Sequence, residues 1–295
     1  MKIVTHNAKF HTDDVFAVSA LLILYPDAEI VRTRDEELIK SADMTVDVGE
    51  IDDASNNRFD HHQAGGAGER SNGIPYSSLG LVWKKYGEEL SGSKAVMERI
   101  DRIFVQPIDA SDNGKDIFTT LVPNVFPYLI HGVIDSYRIT WKETDNWDNR
   151  FKECLKWATG FLSRLIKIQQ DIVEGENIVR RAYDTSRDKG LIVISEEYSL
   201  GRELVTGVLA GLPEPIYAIL FRSDHRSWQL LAIRKTSDSF DSRKPLPEAW
   251  RAKRDKEFDI ASGVNGGIFC HRSGFMCATK TKEAALTLAK KALDA

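Results

Sequence analysis

Short apolar runs alternate with helical stretches through the first half of the chain. Residues 2–5 and 29–33 read as strands, residues 13–25 as a helix between them, and residues 35–41 as a short helix. Residues 44–48 continue the strand pattern, and residues 77–86 and 94–105 return to helical spacing. Such alternation predicts an α/β fold: a doubly wound, mostly parallel sheet over residues 1–146. From residue 147 to 187 the pattern becomes long and amphipathic, with Phe161, Leu162, Leu165, Ile168, Ile172 and Val179 on one helical face. A helical connector follows from that spacing. Beyond it, residues 191–195, 217–222 and 228–233 read as strands, the last two joined by a polar turn into a hairpin. A Gly-rich segment and a helix at 282–293 complete a smaller α+β domain, expected over residues 188–295.

A length of 295 residues suits two lobes, and 42% hydrophobic with 28% charged residues suits a globular interior. The longest apolar run, from Val15 to Tyr25, is interrupted by Ser19 and stopped by Pro26, well short of the roughly 20 residues that span a bilayer. Met1 to Thr5 leads directly into a strand without a signal-peptide pattern, so the cytoplasm is the expected compartment and no membrane partner is expected. The three cysteines, Cys154, Cys270 and Cys277, are too few and too far apart for a disulfide framework or a thiolate zinc site. They read as buried free thiols. A net charge of −4 argues against sequence-independent coating of long nucleic acid, while leaving room for a local basic groove.

Four of the seven histidines fall within the first 62 residues, each near an aspartate at an expected strand end. In a parallel sheet, ligands gather outside the carboxyl ends of strands, so motifs distant in sequence can converge there. His6, His11 and Asp13 follow the first strand. Helix capping would explain Asp13 but not two nearby histidines. Asp47 ends another strand. Asp60-His61-His62 follows, and adjacent imidazoles on extended chain point to opposite sides, so one can bind metal while the other faces substrate. Asp109 and Asp112 lie in a segment that could equally be an Asx-rich turn. The set is nitrogen and oxygen without thiolate, which suits Mn2+ or Mg2+, with zinc, cobalt or iron as competitors. Two such ions about 3.5–4 Å apart can activate water and neutralise phosphate charge, so phosphoester hydrolysis is the expected chemistry.

The order of these motifs resembles the DHH phosphoesterase superfamily. More narrowly, residues 5–7, 11–14, 47–49, 59–63, 108–109 and 112–114 are similar to the melanocyte proliferating gene family, also labelled metal-dependent protein hydrolases. Residues 242–250 and 266–275 extend that resemblance into the second half. It implies a DHH-like catalytic lobe, a connector, a substrate-binding lobe and manganese-dependent 3'-5' exoribonuclease activity. It further implies one ion held by His6, His11 and Asp47, and another by Asp13, Asp47, His61 and either Asp109 or Asp112. His62, with Asp60 beside it, would meet the phosphate. The superfamily usually places a carboxylate where this chain has His11, and an imidazole there favours transition metals.

In the second domain, Gly266 and Gly267 would let backbone N–H groups approach a phosphate, with His271 and Arg272 as donors, although a bulged strand would explain the glycines equally well. Arg243 and Lys244 belong to a basic stretch able to hold an oligonucleotide backbone, and a solvated helix face would look the same. His131 and His225 read as structural. The expected partner is RNA or a short oligonucleotide, and homo-oligomerisation is left open. The competing readings are a small-molecule phosphohydrolase acting on pyrophosphate, a cyclic dinucleotide or a nucleoside phosphate, and a non-catalytic nucleic-acid-binding protein.

Overall fold

The computed structural model describes residues 1–295, which divide into two compact units, residues 1–171 and 172–295. In the first, β1 (Lys2–Thr5), β2 (Glu29–Arg32), β3 (Met44–Val46), β4 (Asp52–Asp53) and β5 (Arg58–Phe59) form one sheet in the order β2-β1-β3-β5-β4. All pairings are parallel except β4 with β5. The carboxyl ends of β1, β3 and β5 therefore open side by side on one edge, where His6, Asp47 and Asp60 follow.

Helix α1 (Thr12–Leu24) is buried from Thr12 to Leu21, which explains an apolar composition without a polar face. It packs on α3 (Ser78–Ser91), which ends at Gly92 in the left-handed region. The short α2 (Glu36–Lys40) sets Ile39 against Val4, Val31 and Val48. The expected helix over 94–105 is α4 (Lys94–Ile100) and a π-helical turn at Asp101–Val105, and it runs on as α5 (Gln106–Asp112). Residues 108–112 are thus helical rather than an Asx turn, and Pro107, which removes an N–H from the run, sits just after the π-helical turn. After α6 (Ile130–Asp135), α7 runs from Trp147 to Thr185, close to the expected connector, and the division between units falls inside it.

The second unit contains β6 (Leu191–Val193), α8 (Arg202–Ala210), β7 (Tyr217–Arg222), β8 (Ser227–Ala232), α9 (Asp255–Ser262), β9 (Gly267–Cys270), β10 (Met276–Thr279) and α10 (Lys282–Asp294). Its sheet, in the order β6-β7-β8-β10-β9, is antiparallel apart from β6 with β7. Alternate residues of β7 enter different cores: Tyr217 and Ile219 pack with Leu288 of α10, and Ala218 and Leu220 with Val205 and Leu209 of α8. Both faces are therefore buried. The expected hairpin is β7–β8, and the Gly-rich segment opens a second hairpin, β9–β10, with a register shift at Ala278 and Thr279. All three cysteines are free and buried. No helix is long and apolar enough to cross a membrane.

Candidate metal centre

His6 follows β1 and is buried, with Nδ1 at 2.9 Å from the carbonyl of Asn7. A carbonyl only accepts, so Nδ1 carries a hydrogen and Nε2 is the atom turned to the carboxylates, holding the imidazolium's second proton or, once that proton leaves, offering a lone pair. That Nε2 lies 3.1 Å from Asp14 Oδ2 and 3.3 Å from Asp47 Oδ2. Asp14 also shapes the start of α1, its Oδ1 accepting from the His11 backbone N–H at 2.8 Å. Asp13 beside it is 0% exposed.

Asp47 sits where β3 ends, with φ of 55°, a left-handed conformation that costs a non-glycine residue about 1 kcal/mol or more. The backbone bend turns its carboxylate inward, where Oδ1 accepts from Ser78 Oγ at 3.0 Å. His61 Nε2 lies 3.5 Å from Asp47 Oδ1, 3.1 Å from Asp112 Oδ2 and 3.8 Å from Asp13 Oδ2. Three groups bring their ligand atoms within 4.8 Å of one another: His6, His11 and Asp47; Asp47, His61 and His62; Asp13, His61 and Asp112. Asp47 belongs to two of them.

Asp60 is buried, with both oxygens engaged: Oδ1 lies 2.8 Å from His62 Nδ1, and Oδ2 accepts from the Glu50 N–H at 2.7 Å. The His62 side chain is 56% exposed and has Nε2 as its free ring nitrogen. Asp109 turns away. Its Oδ1 accepts from Ser77 Oγ at 2.6 Å and the Gly80 N–H at 3.0 Å, and its Oδ2 from Arg70 Nη1 at 2.7 Å. The carboxylate thus serves the first turn of α3 and the half-buried Arg70, while Asp112 is the aspartate of this helix that lies beside His61.

Electrostatics follow from burial. Asp13 is pushed well above the ordinary carboxylate range, first by burial and then by the charges of Asp47, Asp112 and Asp14. Burial would also raise Asp47, but the imidazoles of His6 and His61, 3.3 and 3.5 Å from its oxygens, overcome it and hold that carboxyl below its usual range. Burial would lower His6 and His61, yet the carboxylates in ion-pair contact with their Nε2 atoms, Asp14 and Asp47 for His6 and Asp112 and Asp47 for His61, raise each to about 10. Protons on imidazole therefore balance a nest of carboxylates. Five buried ligand-type atoms still have no hydrogen-bond partner: His6 Nε2, His61 Nε2, both Asp13 oxygens and Asp14 Oδ2. Such orphans are costly unless something else binds them, and their nitrogen and oxygen chemistry fits divalent cations.

Two cavities open on this cluster. One, about 560 Å³, is lined by His6, His11, Asp47 and His62 together with Arg34 and Lys40. The other, about 550 Å³, is lined by His11, Asp47, His61, His62 and Asp112 together with His131 and Arg138. His131, expected to be structural, lines this wall with Nδ1 at 2.9 Å from Thr12 Oγ1. Arg138 Nε donates to the Phe10 carbonyl at 2.7 Å, and its guanidinium pairs with Asp135. Asp14, Ser78, Arg34 and Arg138 were not among the expected site residues, and His131 was read as structural. Only Asp14, inside the first His/Asp motif, carried a signal.

In the second unit the expected binding residues are placed differently. Arg243 donates to the carbonyls of Ala210, Pro213 and Pro215, and Lys244 to that of Leu293, so both hold the fold together instead of facing a polynucleotide. Gly267 donates its N–H to Asp259 Oδ1 at 2.7 Å, and a Cβ there would lie 2.5 Å from Phe258, so its lack of a side chain serves packing of α9 on β9. Gly266 bends the chain with φ of 92°. His271 Nδ1 lies 2.8 Å from Ser273 Oγ, and Arg272 is exposed between β9 and β10.

Residues 2–293 match the profile of a family described as uncharacterised protein family UPF0160. The human MYG1 exonuclease is 31% identical over 99% of this chain and 85% of its own length. The MYG1 protein of Caenorhabditis elegans is 34% identical over 98% and 94%, and that of Dictyostelium discoideum 29% over 100% and 97%. Among solved structures, a Vibrio pGpG-specific phosphodiesterase aligns over 99% of both chains at 13% identity with a TM-score of 0.30, a likeness too low to assign fold or activity.

Proposed function

The chain belongs to the UPF0160 family, that of the melanocyte proliferating gene proteins, and from this premise we propose that it is a divalent-metal-dependent phosphodiesterase that removes nucleotides from the 3' end of RNA or short oligonucleotides. The observation that carries the reading is the set of five orphaned, buried ligand atoms, two of which, His6 Nε2 and His61 Nε2, lie 3.3 and 3.5 Å from the Asp47 carboxylate. His6, His11 and Asp47, with Asp14 close to His6, would hold one ion, and Asp13, Asp47, His61 and Asp112 the other. When bound, such ions supply Lewis acidity, which offsets phosphate charge and makes water a better nucleophile at neutral pH.

The chain's own groups do the rest. Asp60 fixes the His62 ring through Nδ1, so that Nε2 can donate to a phosphate oxygen or give a proton to the leaving ester oxygen. Arg34 in one cavity and Arg138 in the other supply positive charge for neighbouring phosphates. Manganese is the proposed ion, since imidazole at His11 shifts preference towards transition metals. The doubly wound, DHH-like arrangement of residues 1–146, a connector at 147–187, a substrate-binding domain at 188–295 and a cytoplasmic location complete the proposal.

Purified protein loaded in turn with Mn2+, Mg2+ and Zn2+ should be offered short RNA, short DNA, pyrophosphate and cyclic dinucleotides. Release of mononucleotides from RNA, fastest with Mn2+, is the expected result. Rapid cleavage of one small phosphoester with intact RNA would refute the nuclease assignment.

A further inference from the structure

A cavity of about 400 Å³ lies within the second unit, bounded by the start of α8, the last residue of β8, the approach to β10 and the loop after residue 233. Its size is in the range of small-molecule sites. Arg202 and Arg234 line it, both half-buried, with Glu203, Ser242, Phe240 and Phe275. Neither guanidinium is paired with a carboxylate: Arg202 contacts Met276 Sδ at 3.1 Å, and Arg234 reaches only the Ser237 carbonyl, at 3.5 Å. The Phe240 ring is 92% exposed, with the Arg234 guanidinium 5.7 Å from its centroid. An aromatic ring left in water beside half-buried, uncompensated cations is poorly satisfied alone. A ligand with both a flat π-system and a negative charge would satisfy both.

We propose that this cavity binds one nucleoside monophosphate unit, either free or as the terminal residue of an oligonucleotide. Arg202 and Arg234 take the phosphate. Phe240 and Phe275 stack the base. Glu203 and Ser242 offer acceptors to ribose or base donors. An inorganic anion would use the arginines but not the rings, and an uncharged aromatic would use the rings but not the arginines. Ser242 adjoins Arg243 and Lys244, which face elsewhere, so the basic segment contributes a neighbour of its charged residues. The inference rests on the phosphodiesterase reading only for the choice of a nucleotide among flat anions.

The test is isothermal titration of the full chain in EDTA with AMP, the dinucleotide pApA and inorganic phosphate. One saturable nucleotide site is expected, weakened about tenfold or more by Arg234→Gln and by Phe240→Ala, whose exposed ring the fold does not need. Phosphate should bind more weakly and be indifferent to Phe240→Ala. Tighter binding of pApA supports the oligonucleotide source, and equal binding supports the free mononucleotide. Absence of nucleotide binding, binding unchanged in both variants, or phosphate binding as tightly as AMP would each overturn the proposal. Chelation removes hydrolysis from this readout. Binding in EDTA by a protein that no metal makes active would instead sink the phosphodiesterase reading and leave this site standing.

Discussion

His61 Nε2 and Asp112 Oδ2 lie 3.1 Å apart, while Asp109, three residues earlier on the same helix, is bonded to Arg70, Ser77 and the Gly80 backbone. The two aspartates should therefore fail in different ways. Asp109→Asn leaves the half-buried Arg70 with Asp101 as its remaining carboxylate partner and weakens the bonds to Ser77 and the Gly80 N–H, and should destabilise the fold by about 1–3 kcal/mol. Asp112→Asn removes a partner of the His61 imidazolium but relieves repulsion with Asp13, so the two offset to a stability change of about 1 kcal/mol or less, and it should abolish metal-dependent hydrolysis. Urea denaturation in EDTA and a hydrolysis assay separate these outcomes. The reverse pattern would return the ligand role to Asp109.

Chelated protein should have an alkaline weakness. His6 and His61 are raised from 6.5 to about 10 in the folded state, so their stabilisation is complete below about pH 6.5 and is lost as pH rises through about 10. Asp13, raised by burial and neighbouring charge, acts in the same direction. Asp47 is depressed, and its stabilisation is present above about pH 4 and lost on acidification. Thermal denaturation in EDTA should therefore peak between about pH 4 and 6.5 and decline towards pH 10. Saturating Mn2+ should remove the alkaline decline, because the ions take over from the imidazolium protons. A flat profile in EDTA would mean that these groups are not coupled as described.

Most elements were legible because their hydrophobic period was strong. β1 was expected over 2–5 and spans Lys2–Thr5, and the long helical pattern expected over 147–187 is the helix Trp147–Thr185. Residues 108–114 were ambiguous because Asp, Ser and Asn favour turns locally, and only packing of α5 against α1 and α3 makes 108–112 helical. That packing also decides which aspartate faces the basin. The histidine motifs were visible as clusters at strand ends. His131 and Arg138 were not, since they reach the cavity from more than a hundred residues beyond His6 and share no motif with it. Arg243 and Lys244 misled because a basic pair reads the same whether it faces solvent or satisfies buried carbonyls.

His62 is assigned to the phosphate and Asp60 to His62. His62→Ala should retain both manganese equivalents yet lower kcat about a hundredfold or more. Asp60→Asn should lower it less, about tenfold, through loss of ring orientation. Calorimetric metal titration alongside turnover makes the distinction, and loss of a manganese equivalent in His62→Ala would make His62 a ligand.

Gly80 permits the close approach of α3 to α5. A Cβ at this position would lie 2.1 Å from Asp109 Oδ2. Gly80→Ala should therefore destabilise the protein by about 1–3 kcal/mol despite alanine's better helix propensity. Chemical denaturation tests this, and unchanged or increased stability would contradict the packing described.

The account turns on Asp47 as the carboxylate shared between two ions. Equilibrium dialysis of the chelated, then manganese-loaded protein measures that directly. Two equivalents bound by the native chain and one or none by Asp47→Asn is the expected result; no uptake by the native chain, or two equivalents still held by Asp47→Asn, would contradict it.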